Sequence, residues 1–321
     1  MSTPGALEFE KPVKELEAKI TELSRLVGGD GGTGMESELE KLRDQAHKRL
    51  TQVYNNLDPW QKCQVARHPD RPQFKALAEQ LLTDYQPLSG DRNFGDDKAI
   101  LGGLARFRER PVVVMGHEKG HDMASRVTHN FGMGRPEGYR KAIRLMQLAD
   151  QFSLPVLSFV DTPGAYPGKG AEERGQAEAI ARSIQAGLRL QVPSIAVITG
   201  EGGSGGAVAL AASNRVLMYE HAVYSVISPE GCASILWRDG KLAKDAAGAL
   251  NLTAQDLLRL GVIDDIVEEP VGGAHRHPEQ AARALGDAIE QHLQALSGMD
   301  GQALRQAREQ RFLAIGREGL V

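Results

Sequence analysis

Several things are scarce in this chain, and each scarcity removes a class of function. Two cysteines, Cys63 and Cys232, stand among 321 residues. They are too few for a disulfide framework or a cysteine zinc site, and they fit a reducing, cytosolic compartment. No apolar run approaches the ~20 residues of a membrane-spanning helix, and the N-terminus lacks the basic-then-apolar pattern of a signal peptide. The expectation is a cytoplasmic protein without a membrane partner. A net charge of −4, with 25% charged residues, gives no global case for nucleic acid binding. No G-x-x-x-x-G-K-[ST] occurs. Asp161-Thr162-Pro163-Gly164 imitates the D-x-x-G of GTPases, but the nearest phosphate loop, Gly164 to Gly170, is one residue short before Lys169 and has glycine where the hydroxyl should be. Internal repeats and long low-complexity tracts are also missing.

What the chain does have is glycine in one place. Five of the seven residues from Gly200 to Gly206 are glycine, between the apolar run Ile195 to Ile198 and the Ala-rich run Ala207 to Ala212. This reads as strand, glycine turn, helix. Unshielded N–H groups at a helix N-terminus suit an anion or a developing oxyanion. Tight strand-to-helix packing is the bland alternative. The same stretch, Gly202-Gly203-Ser204-Gly205-Gly206, is also a formal G-x-S-x-G nucleophile elbow. A serine hydrolase with Ser204 as nucleophile is therefore the rival reading, with His275 and His277 as triad candidates, although their Gly-, Pro- and Arg-rich surroundings suit a surface loop.

Around this stretch the chain divides in two. Residues 1–89 read as a helical arm. Val13, Leu16, Ile20, Leu23 and Val27 recur three and four apart, and after the linker Gly28 to Gly34 the stripe resumes at Leu39, Leu42, Ala46, Leu50, Val53 and Leu57. Asp58-Pro59 caps a short helix, and an amphipathic helix is expected from Phe74 to Tyr85. Residues 90–321 form the core domain. It opens with a hairpin of Ala99 to Leu104 and Pro111 to Met115, followed by a helix from Glu137 to Phe152 and a buried strand from Leu154 to Val160. A helix over Glu172 to Leu190 and strands over Val216 to Tyr219 and Val223 to Ile227 come next. Ser228 and Thr253 cap later helices. Between Arg106 and Arg144, nine Lys or Arg face four acids, either a solvated basic face or a dock for an anionic partner. His117, His121 and His129 lie in that segment, but His121 to His129 has no helical periodicity, so no metal site is expected.

Longer stretches carry a family resemblance. They are Asp161 to Gly168 with Ala171-Glu172-Glu173-Arg174-Gly175-Gln176, then Gly200 to Gly206, and Tyr224 to Trp237. Ala66-Arg67-His68-Pro69, Asn130-Phe131-Gly132-Met133, Pro136 to Ala142 and Gly272 to Arg276 extend the match over nearly the whole chain. Together they resemble the carboxyltransferase alpha subunit of multi-subunit acetyl-coenzyme A carboxylase. The resemblance implies an α/β, crotonase-like spiral of ββα units behind the N-terminal arm. It also implies transfer of carboxyl from carboxybiotin, carried by biotin carboxyl carrier protein, to acetyl-coenzyme A, giving malonyl-coenzyme A for fatty acid biosynthesis. The implied partners are a zinc-bearing beta subunit in an α2β2 heterotetramer, and biotin carboxylase in the larger ATP-dependent complex. No cofactor is expected to be covalently bound, and no metal is expected on this chain. By position, Gly205 and Gly206 are the expected catalytic donors, and Gly164, Ala165, Gly202 and Gly203 the carboxybiotin wall.

Overall fold

The computed structural model describes residues 7–27 and 33–317. The expected linker from Gly28 to Gly34 lies mostly outside the described residues. Fourteen α-helices and eight strands are found among the described residues. The arm holds α1 (Lys11–Val27), α2 (Thr33–Tyr54), α3 (Pro59–Ala66) and α4 (Phe74–Leu81). The strands are β1 (Leu82–Pro87), β2 (Ile100–Phe107), β3 (Arg110–His117), β4 (Val156–Thr162), β5 (Ser194–Gly203), β6 (Arg215–Tyr219), β7 (Val223–Ser225) and β8 (Asp265–Val267). Interleaved with them are α5 (Met123–Thr128), α6 (Pro136–Phe152), α7 (Lys169–Glu173), α8 (Gln176–Arg189), α9 (Ser204–Ala211), α10 (Pro229–Trp237), α11 (Ala243–Ala249) and α12 (Ala254–Arg259). The helices α13 (Pro278–Leu296) and α14 (Gly301–Ala314) follow the last strand.

The strands form one mixed sheet in the order β1-β2-β3-β4-β5-β6-β8, with β7 added alongside β5. The first three pair antiparallel, as the hairpin signal requires. From β3 onward the pairs are parallel, with α6, α8 and α9 as crossovers. Parallel strands covered on both faces read as continuous apolar runs rather than alternating ones. This is why Val112 to Met115, Leu157 to Val160 and Ile195 to Ile198 are legible as strands. Nearly all of these side chains are buried, packed with Tyr139, Leu145 and Met146 of α6 and with Ala207 and Leu210 of α9. Each fully buried Val, Leu or Ile contributes about 1.5–3 kcal/mol of transfer free energy, so Leu145→Ala should cost about 2–5 kcal/mol.

In the arm, α1 and α2 run antiparallel, for the Tyr54 hydroxyl at the end of α2 donates to Glu10 just before α1, at 2.5 Å. Leu7, Val13, Leu50, Tyr54 and Val65 make a small core of their own. Asp58 closes a reciprocal capping box with Gln61 at the start of α3.

Some boundaries differ from the sequence expectation. The helix expected to reach Tyr85 stops at Leu81, because Leu82 and Thr83 pair with Phe107 and Arg106 across the sheet edge. The helix expected from Glu172 to Leu190 is broken at Gly175, whose φ of +77° suits glycine. The segment from His121 to His129 is not irregular. Asp122 and Ser125 form a capping box that starts α5, and a side-chain cap of this kind leaves no trace in apolar periodicity.

Candidate active site

Parallel strands that rise side by side bring their carboxyl ends to one edge of the sheet, where α/β proteins bind ligands. Here β3 ends at His117, β4 runs into Asp161 and Thr162, and β5 carries Thr199 to Gly203. The ladder between β4 and β5 is irregular at that edge. Val160 pairs with Ile198, but the next pair is Thr162 with Gly202, so β5 holds three residues opposite the single residue Asp161. Side chains supply the hydrogen bonds the ladder loses. The Asp161 carboxylate accepts the Glu201 N–H at 2.8 Å. The Arg71 guanidinium donates to the Thr199 carbonyl at 2.6 Å and is itself paired with the buried Glu269.

A chain of alternating charges continues from this bulge. Lys119 Nζ lies 2.6 Å from Asp161 Oδ1 and 2.8 Å from Glu201 Oε2. The other Glu201 oxygen accepts from Arg67 Nε at 2.6 Å, and Arg67 reaches on to Glu230 of α10 at 2.5 Å. Burial alone would raise the Glu201 pKa, but Lys119 and Arg67 outweigh it and hold the carboxyl at about 2. Burial would likewise lower the Lys119 pKa, yet Asp161 and Glu201 raise it, so the ammonium stays charged. Arg67, Lys119, Asp161 and Glu201 come from four distant places in sequence. Arg67, Asp161 and Glu201 fall in stretches that carry the family resemblance and Lys119 falls in the basic segment from Arg106 to Arg144, but no spacing in the sequence joins the four into one cluster.

The glycine stretch sits on this platform, though not as a turn. β5 continues through Gly200 to Gly203, because Glu201, Gly202 and Gly203 pair with Val223, Tyr224 and Ser225 of β7. The helix α9 then begins at Ser204, which takes a φ of +50°, with no side-chain cap at Gly203. By position, the first N–H groups of α9, including those of Gly205 and Gly206, have no acceptor inside the helix.

Gly164 and Ala165 face this helix start. A Cβ on Gly206 would lie 2.8 Å from the Ala165 nitrogen and 2.9 Å from the Gly164 carbonyl carbon. A Cβ on Gly203 would lie 2.3 Å from the Pro163 carbonyl carbon. The backbone approach is therefore so close that only glycine fits at 203 and 206. Gly202, Gly203, Gly205, Gly206, Gly164 and Ala165 are thus brought together at one edge.

Three hollows adjoin them. One of about 250 Å³ is lined by Arg67, His68, Lys119, Asp161 and Glu201 among others. A second of about 440 Å³ shares Arg67, Pro163 and Glu201 with it and adds Gly202, Gly203 and Ser228. A third, about 370 Å³, lies by Ser204 and Gly205 and is walled by Val208, Tyr224, Val226, Leu250, Leu257 and Val262.

The residues lining the hollow beside Ser204 include no histidine and no carboxylate. His275 is not on a surface loop as expected. Its side chain is 4% exposed, stacks on His68 with ring centroids 4.0 Å apart, and approaches Glu10. His277 precedes α13. The serine-hydrolase reading has no support. Among the described residues, no group of three His, Cys, Asp or Glu is placed to hold a metal ion, and no helix is long and apolar enough to cross a membrane.

The family model described as acetyl co-enzyme A carboxylase carboxyltransferase-like matches residues 6–316. The acetyl-coenzyme A carboxylase carboxyl transferase subunit alpha of Azorhizobium caulinodans is 61% identical over 97% of this chain and 98% of its own length. That of Sphingopyxis alaskensis is 63% identical, with the same coverage. Among solved structures, the transcarboxylase 12S enzyme aligns with a TM-score of 0.56 at 19% identity, over 70% of this chain and 42% of that one. A likeness at that identity speaks for the shared crotonase-like fold alone. With the fold matched and nearly every residue aligned to the family at high identity, the chain belongs to the acetyl-coenzyme A carboxylase carboxyltransferase family.

Proposed function

We propose that this chain is the alpha half of a cytoplasmic carboxyltransferase that passes carboxyl from carboxybiotin to acetyl-coenzyme A, yielding malonyl-coenzyme A. The observation that carries the reading is the near full-length family match. Residues 90–321 do the chemistry, and residues 1–89 serve as the arm that meets the partner. The biotin N–carboxyl bond breaks to give CO2 and a ureido anion. The biotin nitrogen takes the methyl proton of the thioester, and the resulting enolate carbon attacks CO2. Two anions arise, and preorganised donors are what such anions need.

In this reading the Gly205 and Gly206 N–H groups receive the ureido oxygen at the positive end of α9. Gly164, Ala165, Gly202 and Gly203 let the biotin ring approach the backbone. Carboxybiotin arrives on its carrier protein after loading by biotin carboxylase. The thioester enolate is held by a zinc-bearing beta subunit in an α2β2 assembly, so this chain needs neither a nucleophile nor a metal of its own.

Purified alone with carboxylated carrier and acetyl-coenzyme A, the chain should make no malonyl-coenzyme A. Adding the beta subunit should restore turnover. Robust transfer by the isolated chain would overturn the assignment of half of the site to a partner.

A further inference from the structure

The irregular ladder between β4 and β5 falls where the glycine wall begins, and bulges beside active sites commonly re-aim the residues that follow them. What holds this one open is a charge arrangement. Asp161 stands alone opposite Thr199, Gly200 and Glu201, and its Oδ1 takes both the Glu201 N–H and the Lys119 ammonium. The same ammonium reaches the Glu201 side chain. Gly200 leaves room for this, since a Cβ there would sit 2.5 Å from Asp161 Oδ1. Three residues after Asp161 comes Gly164, and three after the Asp161-bonded Glu201 N–H comes Ser204, the first residue of α9. A shift of the bulge therefore displaces both walls of the candidate site at once.

We infer that Lys119 and Asp161 are positioning residues for carboxyl transfer: they fix the β4–β5 bulge and so set the distance between the Gly164–Ala165 backbone and the Gly205–Gly206 donors. Lys119 touches neither donor pair. Its work is to let two carboxylates, Asp161 and Glu201, stand within reach of one ammonium instead of repelling each other. Arg67 holds the far oxygen of Glu201 but does not reach Asp161 in the same network. Of the two cations on Glu201, Lys119 is thus the one that also reaches Asp161. The inference rests on the carboxyltransferase reading above, and it adds residues that act through backbone groups rather than on substrate.

The test uses the reconstituted assembly with carboxylated carrier and acetyl-coenzyme A. Lys119→Met should lower kcat about a hundredfold, the scale of a misplacement of about 1 Å. KM for acetyl-coenzyme A should stay within about twofold, because that ligand is held elsewhere. Lys119→Arg, which keeps a cation between the two carboxylates, should recover most of the loss. Asp161→Asn, equal in size, should lose kcat in the same way, and it decides the matter if Lys119→Met does not fold. Thermal melts of each assembly report the folded fraction. A role in stability alone would lower the melting temperature and leave kcat per folded assembly unchanged, which overturns the inference. A rise in KM at constant kcat would overturn it too, by placing Lys119 in binding. If the wild-type assembly itself fails to transfer carboxyl, the carboxyltransferase reading falls and takes the inference with it. A normal wild type beside a fully active Lys119→Met would sink the inference alone.

Discussion

Two neighbouring glycines should respond in opposite ways to the same added methyl group. At Gly206 a Cβ would meet the Ala165 nitrogen at 2.8 Å, the Gly164 carbonyl carbon at 2.9 Å and the Tyr139 hydroxyl at 3.1 Å. Two of these are backbone atoms that cannot rotate away, so the Gly164–Ala165 wall must move. Overpacking of this kind costs about 1–3 kcal/mol of stability. At Gly205 the nearest atom is Ile180 Cγ2 at 3.5 Å, an ordinary van der Waals contact. Neither residue has a positive φ. Alanine at 205 therefore keeps the N–H, fits the space and improves helix propensity by up to about 1 kcal/mol.

The expected result in the reconstituted assembly is that Gly205→Ala transfers carboxyl within severalfold of wild type and melts no lower. Gly206→Ala should lose transfer by about a hundredfold or more, comparable to losing one oxyanion donor. Urea or thermal melts of both variants separate the stability cost from the catalytic one. The reasoning is refuted if Gly206→Ala transfers normally while Gly205→Ala is dead. That outcome would mean that the 205 position faces the ligand and that the 206 wall takes no part.

Ser204→Ala should keep most of the transfer, and a serine-directed fluorophosphonate should not label the wild-type chain, since no histidine or carboxylate lines the hollow beside Ser204. Loss of activity with stoichiometric labelling would restore the nucleophile. Acid should destabilise the fold in two stages, measurable as denaturant midpoints against pH. Burial lowers the pKa of His117 to about 3 and that of His221 to about 4, so the unfolded chain binds more protons than the folded one below about 6.5, and stability falls as pH drops through that window. Glu269 and Glu201 resist the upward pull of burial because Arg71 in one case and Lys119 in the other hold each at about 2. Their contribution is complete above about 4.5 and is lost toward pH 2, adding a steeper second limb. A flat profile from pH 7 to pH 3 would contradict both assignments.

Much of the scaffold is readable in sequence because local chemistry determines it. Apolar runs mark the central strands, and Ser228 and Thr253 cap α10 and α12 as their positions suggest. The features that escape are those decided by remote partners. Gly200 to Gly203 looks like a turn because glycine is a poor strand former, but β7 pairs with it and Asp161 fills its bulge. Tyr85 keeps the helical period of α4, yet the free edge of β2 takes its segment into the sheet. His275 sits among glycine and arginine and is nonetheless buried against His68 and the arm. The cluster of Lys119, Asp161, Glu201 and Arg67 is least legible, because the alignment of the β3, β4 and β5 ends brings three of its members together and Arg67 reaches them from the end of α3.

That cluster also bears on why a backbone site suits this chemistry. Lys119, Arg67 and Arg71, the cations that line the first hollow alongside Arg126, are each bound to carboxylates at 2.9 Å or less. A cation committed to a buried carboxylate has little field left for a transient ureido anion, and pulling it away would leave that carboxylate exposed to low dielectric at a cost of several kcal/mol. The N–H groups at the start of α9 lie in the first turn, where a helix offers them no acceptor of its own. They are fixed by the strand that precedes them and cannot titrate. An anion that forms and vanishes in each turnover is better served by donors of that kind, since they need no reorganisation as its charge develops. On this argument the charged residues set the shape of the strand ends, and the proposed glycine donors hold the charge.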